Sequence, residues 1–280
     1  MTQPTLSRSR IAEFQERVWG YYRENRRVMP WREDPRPYKV LVSELMLQQT
    51  QALRVIPKFD AFIYTCPDFA SLAEMSLAEV LTLWSGLGYN RRAKFLHQTA
   101  QIVMHDYGGA LPSTLDELVK LPGVGKNTAG AIMAYAYEQP VVFVETNIRT
   151  VYFHHFYPDS RELVSDKAIE ALVEQTLDYE NPREWYWALM DYGTYLKKTA
   201  GARLANSKHY TRQSPLKGSL REMRGRILKA LIEGMIKENE LRKMVQADER
   251  FERALSSLVT EGLIERNGQN ICLTGSNQTS

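Results

Sequence analysis

Leu121 to Ile132 reads LPGVGKNTAGAI, a proline and glycines set between helical patterns. Leu121, Gly123, Val124 and Gly125 form a predicted tight turn, where the two glycines supply conformations that a side chain would obstruct. Apolar spacing predicts a helix from Lys126 to Tyr137 that stops before Pro140. The first turn of such a helix offers unsatisfied backbone N–H groups and the positive end of the dipole. That combination holds a phosphate without reading sequence. A plain glycine-rich turn between packed helices uses the same letters, so the surrounding sequence has to decide.

On the N-terminal side, Ile11, Phe14, Val18 and Tyr21 recur at helical spacing. Pro30, Pro35 and Pro37 punctuate the chain before a helix predicted from about Tyr38 to Gln51. Ser71 with Glu74, Ser76 with Glu79 and Thr114 with Glu117 have capping-box spacing. Gly86 and Gly88 break the pattern, and a helix follows from about Asn90. Val141–Val144 is a short β-like run, too isolated to build a sheet. Helices over Ser165–Leu177 and around Trp185–Leu196 follow. Leu196–Leu216 lacks periodicity and reads as a linker.

Beyond the linker the pattern changes. Three helices are marked by Ile227/Leu228/Leu231/Ile232, by Leu241/Met244/Val245, and by Phe251/Ala254/Leu255/Leu258/Val259. Leu263–Arg266, the turn pair Asn267-Gly268 and Gln269–Leu273 then read as a hairpin. Three helices and a two-stranded hairpin make a winged-helix arrangement over 219–274, and 275–280 reads as a disordered tail. The chain is therefore expected to be all-α over 1–215, followed by a small α+β winged-helix domain. Within 1–215, a six-helix part (28–140) and a second helical part (1–27 with 141–200) are expected, with a basic linker over 197–218.

The chain has 280 residues, about two domains' worth, and is 44% hydrophobic and 25% charged. No run of about 18 apolar residues marks a membrane span, and the polar Met1–Arg10 segment lacks a secretory h-region. Cys66 and Cys272 are the only cysteines, which excludes a disulfide scaffold and any four-cysteine metal or iron–sulfur site. Unpaired thiols suit a reducing cytosol. His154 and His155 are adjacent and cannot face one ion from a helix, so no metal site is expected there. The formal charge is only +3, but Asp191–Ala230 holds ten Lys or Arg against two acids, Asp191 and Glu222. Such a stretch attracts polyanions, although a solvated linker has the same composition.

Four motifs stand in order around the opening stretch. They are MPWREDPRPYKVLVSELMLQQTQ (Met29–Gln51), WSGLGYNRR (Trp84–Arg92), LPGVGKNTAGAI (Leu121–Ile132) and VFVETNIR (Val142–Arg149). Together they resemble the MutY-type adenine DNA glycosylases of the helix-hairpin-helix (HhH-GPD) superfamily, over about Arg10 to Leu196. The resemblance implies a two-part helical fold and base excision repair. A base mispaired in double-stranded DNA would be flipped out and hydrolytically removed, adenine opposite 8-oxoguanine or guanine being the expected substrate. A soluble monomer in the cytoplasm, nucleoid-associated in a bacterium and without membrane contact, is implied with it.

The same resemblance assigns residues. Glu44 matches the acid that protonates the leaving purine, and its neighbours Leu41, Leu45, Met46 and Leu47 would raise its pKa by desolvation. Glu145 falls where the family has the aspartate that stabilises the cationic sugar, and Asn147 matches the residue that orients it. Gln48 would enter the duplex, and Tyr89 would wedge into the stack. Gln49, Asn90, Arg91, Arg32 and Lys126 join the expected DNA-binding set with the turn residues. Asn127 stands where bifunctional relatives carry a nucleophilic lysine. An amide cannot form a Schiff base, which favours water as nucleophile.

The sequence departs from the family at three places. Glutamate at 145 is one methylene longer than aspartate, which moves the carboxylate by roughly 1–1.5 Å. Misplacement by about 1 Å can cost about a hundredfold in rate. The family's four cluster cysteines are missing after Leu196, so no iron–sulfur cluster or other cofactor is expected, except for a structural alkali cation at the hairpin. Lys197, Lys198, Arg203 and Lys208 are the expected substitutes in contacting DNA phosphates. The tail from Ser219 is too short for the family's Nudix-like reader of 8-oxoguanine. Two alternatives therefore stand beside adenine removal: a thymine or uracil glycosylase acting on G mispairs, and a non-catalytic mismatch-binding protein.

Overall fold

A computed structural model describes residues 5–158, 164–201 and 215–276. The structure is mostly helical, with one small sheet among the described residues. It divides into two compact units, the first comprising Met1–Glu44, Ser113–Lys120 and Val124–Arg212. The second comprises Leu45–Pro112, Leu121–Gly123 and Gln213–Ser280. The predicted tail falls mostly on 277–280, and Arg203 and Lys208 on 202–214, outside the described residues.

In the first unit, helix Arg8–Asn25 starts at Ser7, whose side chain accepts from the Arg10 N–H. Its apolar stripe buries Phe14, Val18 and Tyr22. Phe14 meets Tyr152 and Trp185 with ring centroids 5.3 and 6.0 Å apart, so three distant segments share one aromatic core. Helix Lys126–Tyr137 has the predicted bounds. Helix Asp166–Thr176 is capped by Ser165, and helix Pro182–Thr199 runs longer than its aromatic pattern suggested. The Thr114 hydroxyl caps the Glu117 N–H as expected.

The β-like run Val141–Val144 forms no strand. Without a neighbouring strand its carbonyls need other donors. The Tyr186 hydroxyl donates to Val141 O at 2.6 Å, and Asn127 Nδ2 donates to Val144 O at 2.8 Å. Phe143 and Val144 supply the apolar signal by burial instead.

In the second unit, helices Ala52–Thr65, Phe69–Glu74, Leu77–Leu83 and Arg91–Asp106 form the core. Ser76 and Glu79 make the predicted capping box. Ser71 and Glu74 do not, because the helix begins earlier and Asp68 caps it with Ser71 at the third position. The helix predicted to Gln51 ends at Leu47, and Gln49 takes a left-handed φ of 57°.

The C-terminal segment belongs to this second unit. Helices Leu220–Ala230, Glu238–Met244 and Phe251–Thr260 surround buried Met223, Ile227, Phe251 and Leu258. Strands β1 (Ile236–Lys237), β2 (Ile264–Asn267) and β3 (Asn270–Leu273) form an antiparallel sheet in the order β1-β3-β2. The predicted hairpin is β2–β3, turning at Gly268 with φ 64°. Strand β1 adds a third member that two residues cannot announce by alternation. Lys94 Nζ donates to Glu261 O at 2.6 Å and ties this segment to helix Arg91–Asp106.

Candidate active site

Glu44 sits on helix Pro37–Leu47, partly buried, with Leu41, Leu45 and Met46 fully buried on the same helix. Burial first, and then the negative charge of Glu145, push its pKa up to about 8, against the opposing Arg32 cation. Glu145 precedes helix Thr146–Phe156 and caps it. Its Oε1 accepts from the Asn147 N–H at 2.7 Å and the Ile148 N–H at 3.2 Å. The helix N-terminus is a favourable place for a carboxylate anion. The two carboxyl groups, 101 positions apart, therefore act on each other electrostatically.

Tyr135 belongs to the same cluster. Its pKa is raised by burial and then by the charges of Glu44 and Glu145, so it remains a neutral phenol. Asn147 is held from two sides. Lys197 Nζ donates to its Oδ1 at 2.7 Å, and its Nδ2 donates to Met190 Sδ at 3.7 Å. Gly193 lets helix Pro182–Thr199 approach here, since a Cβ would stand 2.8 Å from Asn147 Cβ.

Two basic residues differ from their expected placement. Arg32 does not face outward. It is buried, with Nη1 and Nη2 each donating to Asp191 carboxylate oxygens at 2.9 Å. Asp191 also accepts from Arg27 Nε at 2.6 Å. Lys197 is partly buried on Asn147, and burial lowers its pKa against the pull of Glu145. Lys198, next in sequence, is exposed. The two acids of the basic stretch are ion-pair hubs, Asp191 for Arg27 and Arg32, Glu222 for Arg226 and Arg250.

At the predicted turn, Gly123 has φ 78°, and a Cβ would lie 3.0 Å from Phe95 Cβ and 3.2 Å from Leu45 Cδ2. Gly125 has an ordinary φ of −83° and open space, so only the first glycine is sterically required. Gly125 precedes helix Lys126–Tyr137, whose first turn has no side-chain cap and no acidic residue. Lys126 and Asn127 are exposed there, while Leu121 and Val124 are buried as the turn's apolar anchors.

Within the second unit, Gln48 Nε2 donates to Gly123 O at 3.2 Å. Arg92 is buried, and Nη1 donates to the carbonyls of Leu45, Met46 and Gln48 at 2.7, 2.8 and 2.7 Å. Nη2 reaches Gly88 O at 2.9 Å. Burial lowers this guanidinium to about 10, which leaves it charged at neutral pH. Tyr89 has a left-handed φ of 48°, and the guanidiniums of Arg92 and Arg221 lie over its ring, 5.6 and 5.2 Å from its centroid. Arg221 also donates to the Tyr89 hydroxyl. Gln48, Gln49, Tyr89, Asn90 and Arg91 line one cavity.

Asp191, Tyr135, Arg92 and Gly193 were not singled out as site residues by sequence. Gly193 alone left a signal, as an isolated glycine in a helical pattern. His155 packs against Tyr192, with Nε2 3.0 Å from its hydroxyl. No cluster of three His, Cys, Asp or Glu suited to a metal occurs among the described residues. Two cysteines do not fit a four-thiolate cluster.

Residues 42–177 match the HhH-GPD superfamily base excision DNA repair protein family. The adenine DNA glycosylase of Buchnera aphidicola (subsp. Baizongia pistaciae) is 35% identical over 180 residues, 63% of this chain and 50% of that protein. The chain thus spans about half the length of that relative. The adenine DNA glycosylase of Mycolicibacterium smegmatis is 30% identical over 283 residues, 93% of this chain and 96% of the relative. A solved thermostable thymine-DNA glycosylase superposes with a TM-score of 0.59 at 28% identity, over 66% of this chain and 86% of that one. Matched almost end to end by the mycobacterial relative, and matching the superfamily over residues 42–177, the chain belongs to the adenine DNA glycosylase family of the HhH-GPD superfamily.

Proposed function

We propose that the chain is a monofunctional DNA glycosylase that flips a mispaired base from duplex DNA and removes it by hydrolysis, adenine opposite guanine or 8-oxoguanine being the best-supported substrate. The observation that carries this reading is the Glu44–Glu145 pair, one carboxyl pushed up to about 8 and the other fixed on a helix N-terminus. Glu44 is mostly protonated at neutral pH and is matched to general acid catalysis. It gives its proton to the departing purine as the N-glycosidic bond breaks and the bonding pair leaves with the base. Water adds to C1′ and releases a proton to solvent. Glu145 faces the positive charge that develops on the sugar, as in sugar hydrolases. The Asn147 and Ile148 N–H groups keep that carboxylate in place, and Lys197 holds the Asn147 side chain beside it.

DNA itself is held by backbone and surface groups. The uncapped first turn of helix Lys126–Tyr137, with Lys126 beside it, suits a phosphate. Lys198 is exposed for a second phosphate contact. Gln48, Gln49, Tyr89, Asn90 and Arg91 form the face toward the base stack. Asn127 has no amine for a Schiff base, which favours water as nucleophile.

Removal of thymine or uracil opposite guanine is the second reading, supported by the likeness to a thymine-DNA glycosylase. One assay separates the two. Duplexes carrying A opposite 8-oxoguanine, A opposite G, T opposite G and U opposite G are incubated with the chain, then treated with alkali. Strand breaks at adenine that need alkali are expected. Breaks at pyrimidines select the second reading, breaks without alkali overturn the monofunctional assignment, and binding without breaks leaves a mismatch-binding protein.

A further inference from the structure

The Glu145 carboxylate is tied down locally. Its Oε1 accepts from the N–H groups of Asn147 and Ile148, two and three residues onward. Such bonds fix the side chain to its own helix and leave open where the start of that helix stands in the unit. The preceding segment, Val141–Val144, forms no strand, so no ladder locates it either. Its place depends on side chains that reach it from other helices.

Two helices of the first unit supply them. From helix Pro182–Thr199, the Tyr186 hydroxyl donates to Val141 O at 2.6 Å, and its ring packs on Phe143 with centroids 4.2 Å apart. From helix Lys126–Tyr137, Gly130 gives Phe143 its seat, because a Cβ there would stand 2.6 Å from Phe143 Cβ. These contacts hold the far end of the segment. At the near end, Asn127 Nδ2 donates to Val144 O at 2.8 Å. That oxygen lies in the peptide plane that Val144 shares with Glu145, so the bond acts one rigid unit away from the carboxylate-bearing residue.

Asn127 is the second residue of helix Lys126–Tyr137 and is exposed, yet its amide turns to a carbonyl of buried Val144. Lys126, next to it, points about 100° away around the helix. An amide donates without bringing a further charge beside Glu145 and Lys197.

We infer that Asn127 is a positioning residue: its side-chain amide, through the carbonyl of Val144, sets where the Glu145 carboxylate stands. What that carboxylate does rests on the glycosylase reading, whereas the tie itself does not.

Two measurements test it. The first is a double-mutant cycle on single-turnover adenine release. Asn127→Ala is expected to slow release about tenfold and to leave the Kd for duplex DNA within about twofold. Asn127→Gln keeps the donor and is expected to restore part of the loss. In a Glu145→Gln background no anion is left to place, and Asn127→Ala is expected to cost less than about twofold there. An unchanged rate, a full tenfold loss in that background, or a loss of affinity in place of rate overturns the inference. The second measurement needs no activity. Backbone 15N relaxation of the full chain is compared with that of Asn127→Ala. Order parameters of Val144 and Glu145 are expected to fall from about 0.85 toward about 0.6, with those of helix Lys126–Tyr137 unchanged. Equal order in both proteins, or loss of order throughout the first unit, overturns the inference. If no duplex loses a base, the glycosylase reading falls alone and the relaxation measurement decides the role of Asn127.

Discussion

Glu44 stands partway along a helix among fully buried leucine and methionine, whereas Glu145 stands at the start of another with two backbone N–H groups against one oxygen. The side chains are identical. Desolvation raises the pKa of the first, and the second serves as the cap of a helix. On the proposed reading, placing one residue type in two surroundings supplies the proton donor and the counter-charge that glycosidic cleavage needs.

The contrast breaks most directly at its two members. Glu44→Gln keeps the shape and removes the proton, and is expected to lower single-turnover adenine release by about a hundred- to ten-thousandfold. Glu145→Gln keeps the acid and removes the anion, with an expected loss of about a hundred- to a thousandfold. Equal activity of either variant and the unaltered chain would end the assignment.

The pH profile sharpens the same contrast. With Glu44 as the proposed acid, the rate is expected to fall about tenfold per unit once the pH exceeds about 8. Stability follows with a defined sign. A carboxyl whose folded pKa lies above its unfolded value stabilises fully below the unfolded value near 4.5, and this is lost as pH rises through about 8. Glu44→Gln is therefore expected to gain in Tm over the unaltered chain between about pH 5 and 9. A flat difference across that range would contradict the desolvated acid.

The smallest effects belong to the neighbouring lysines. Lys197→Met is expected to lower kcat about tenfold by freeing Asn147, with Lys197→Arg restoring part of it. Lys198→Met is expected to leave kcat in place and reduce the salt slope of DNA binding by about one. Reversed outcomes would exchange the two roles.

The helices themselves were legible. Lys126–Tyr137, the Ser165 cap and the Asn267-Gly268 turn follow from local periodicity and turn chemistry. Glu44, Glu145 and Asn147 could be named from motif resemblance, and the structure brings them together. The rest depends on contacts between distant segments. Arg32 and Lys197 read as exposed cations, yet Asp191 and Asn147 take them inward. Ser71 has the spacing of a cap, but Asp68 three residues earlier wins the position. Composition near Asp191 signals basic surface and carries no mark that its one carboxylate neutralises two arginines.

Arg92 has one last consequence. Its guanidinium gathers carbonyls from the end of the Glu44 helix, from Gln48 and from the loop that leads to Tyr89. Those pieces open and close as one cooperative block rather than as separate loops. On the proposed reading this segment meets the bases as a rigid template, and distortion on encounter falls to the DNA.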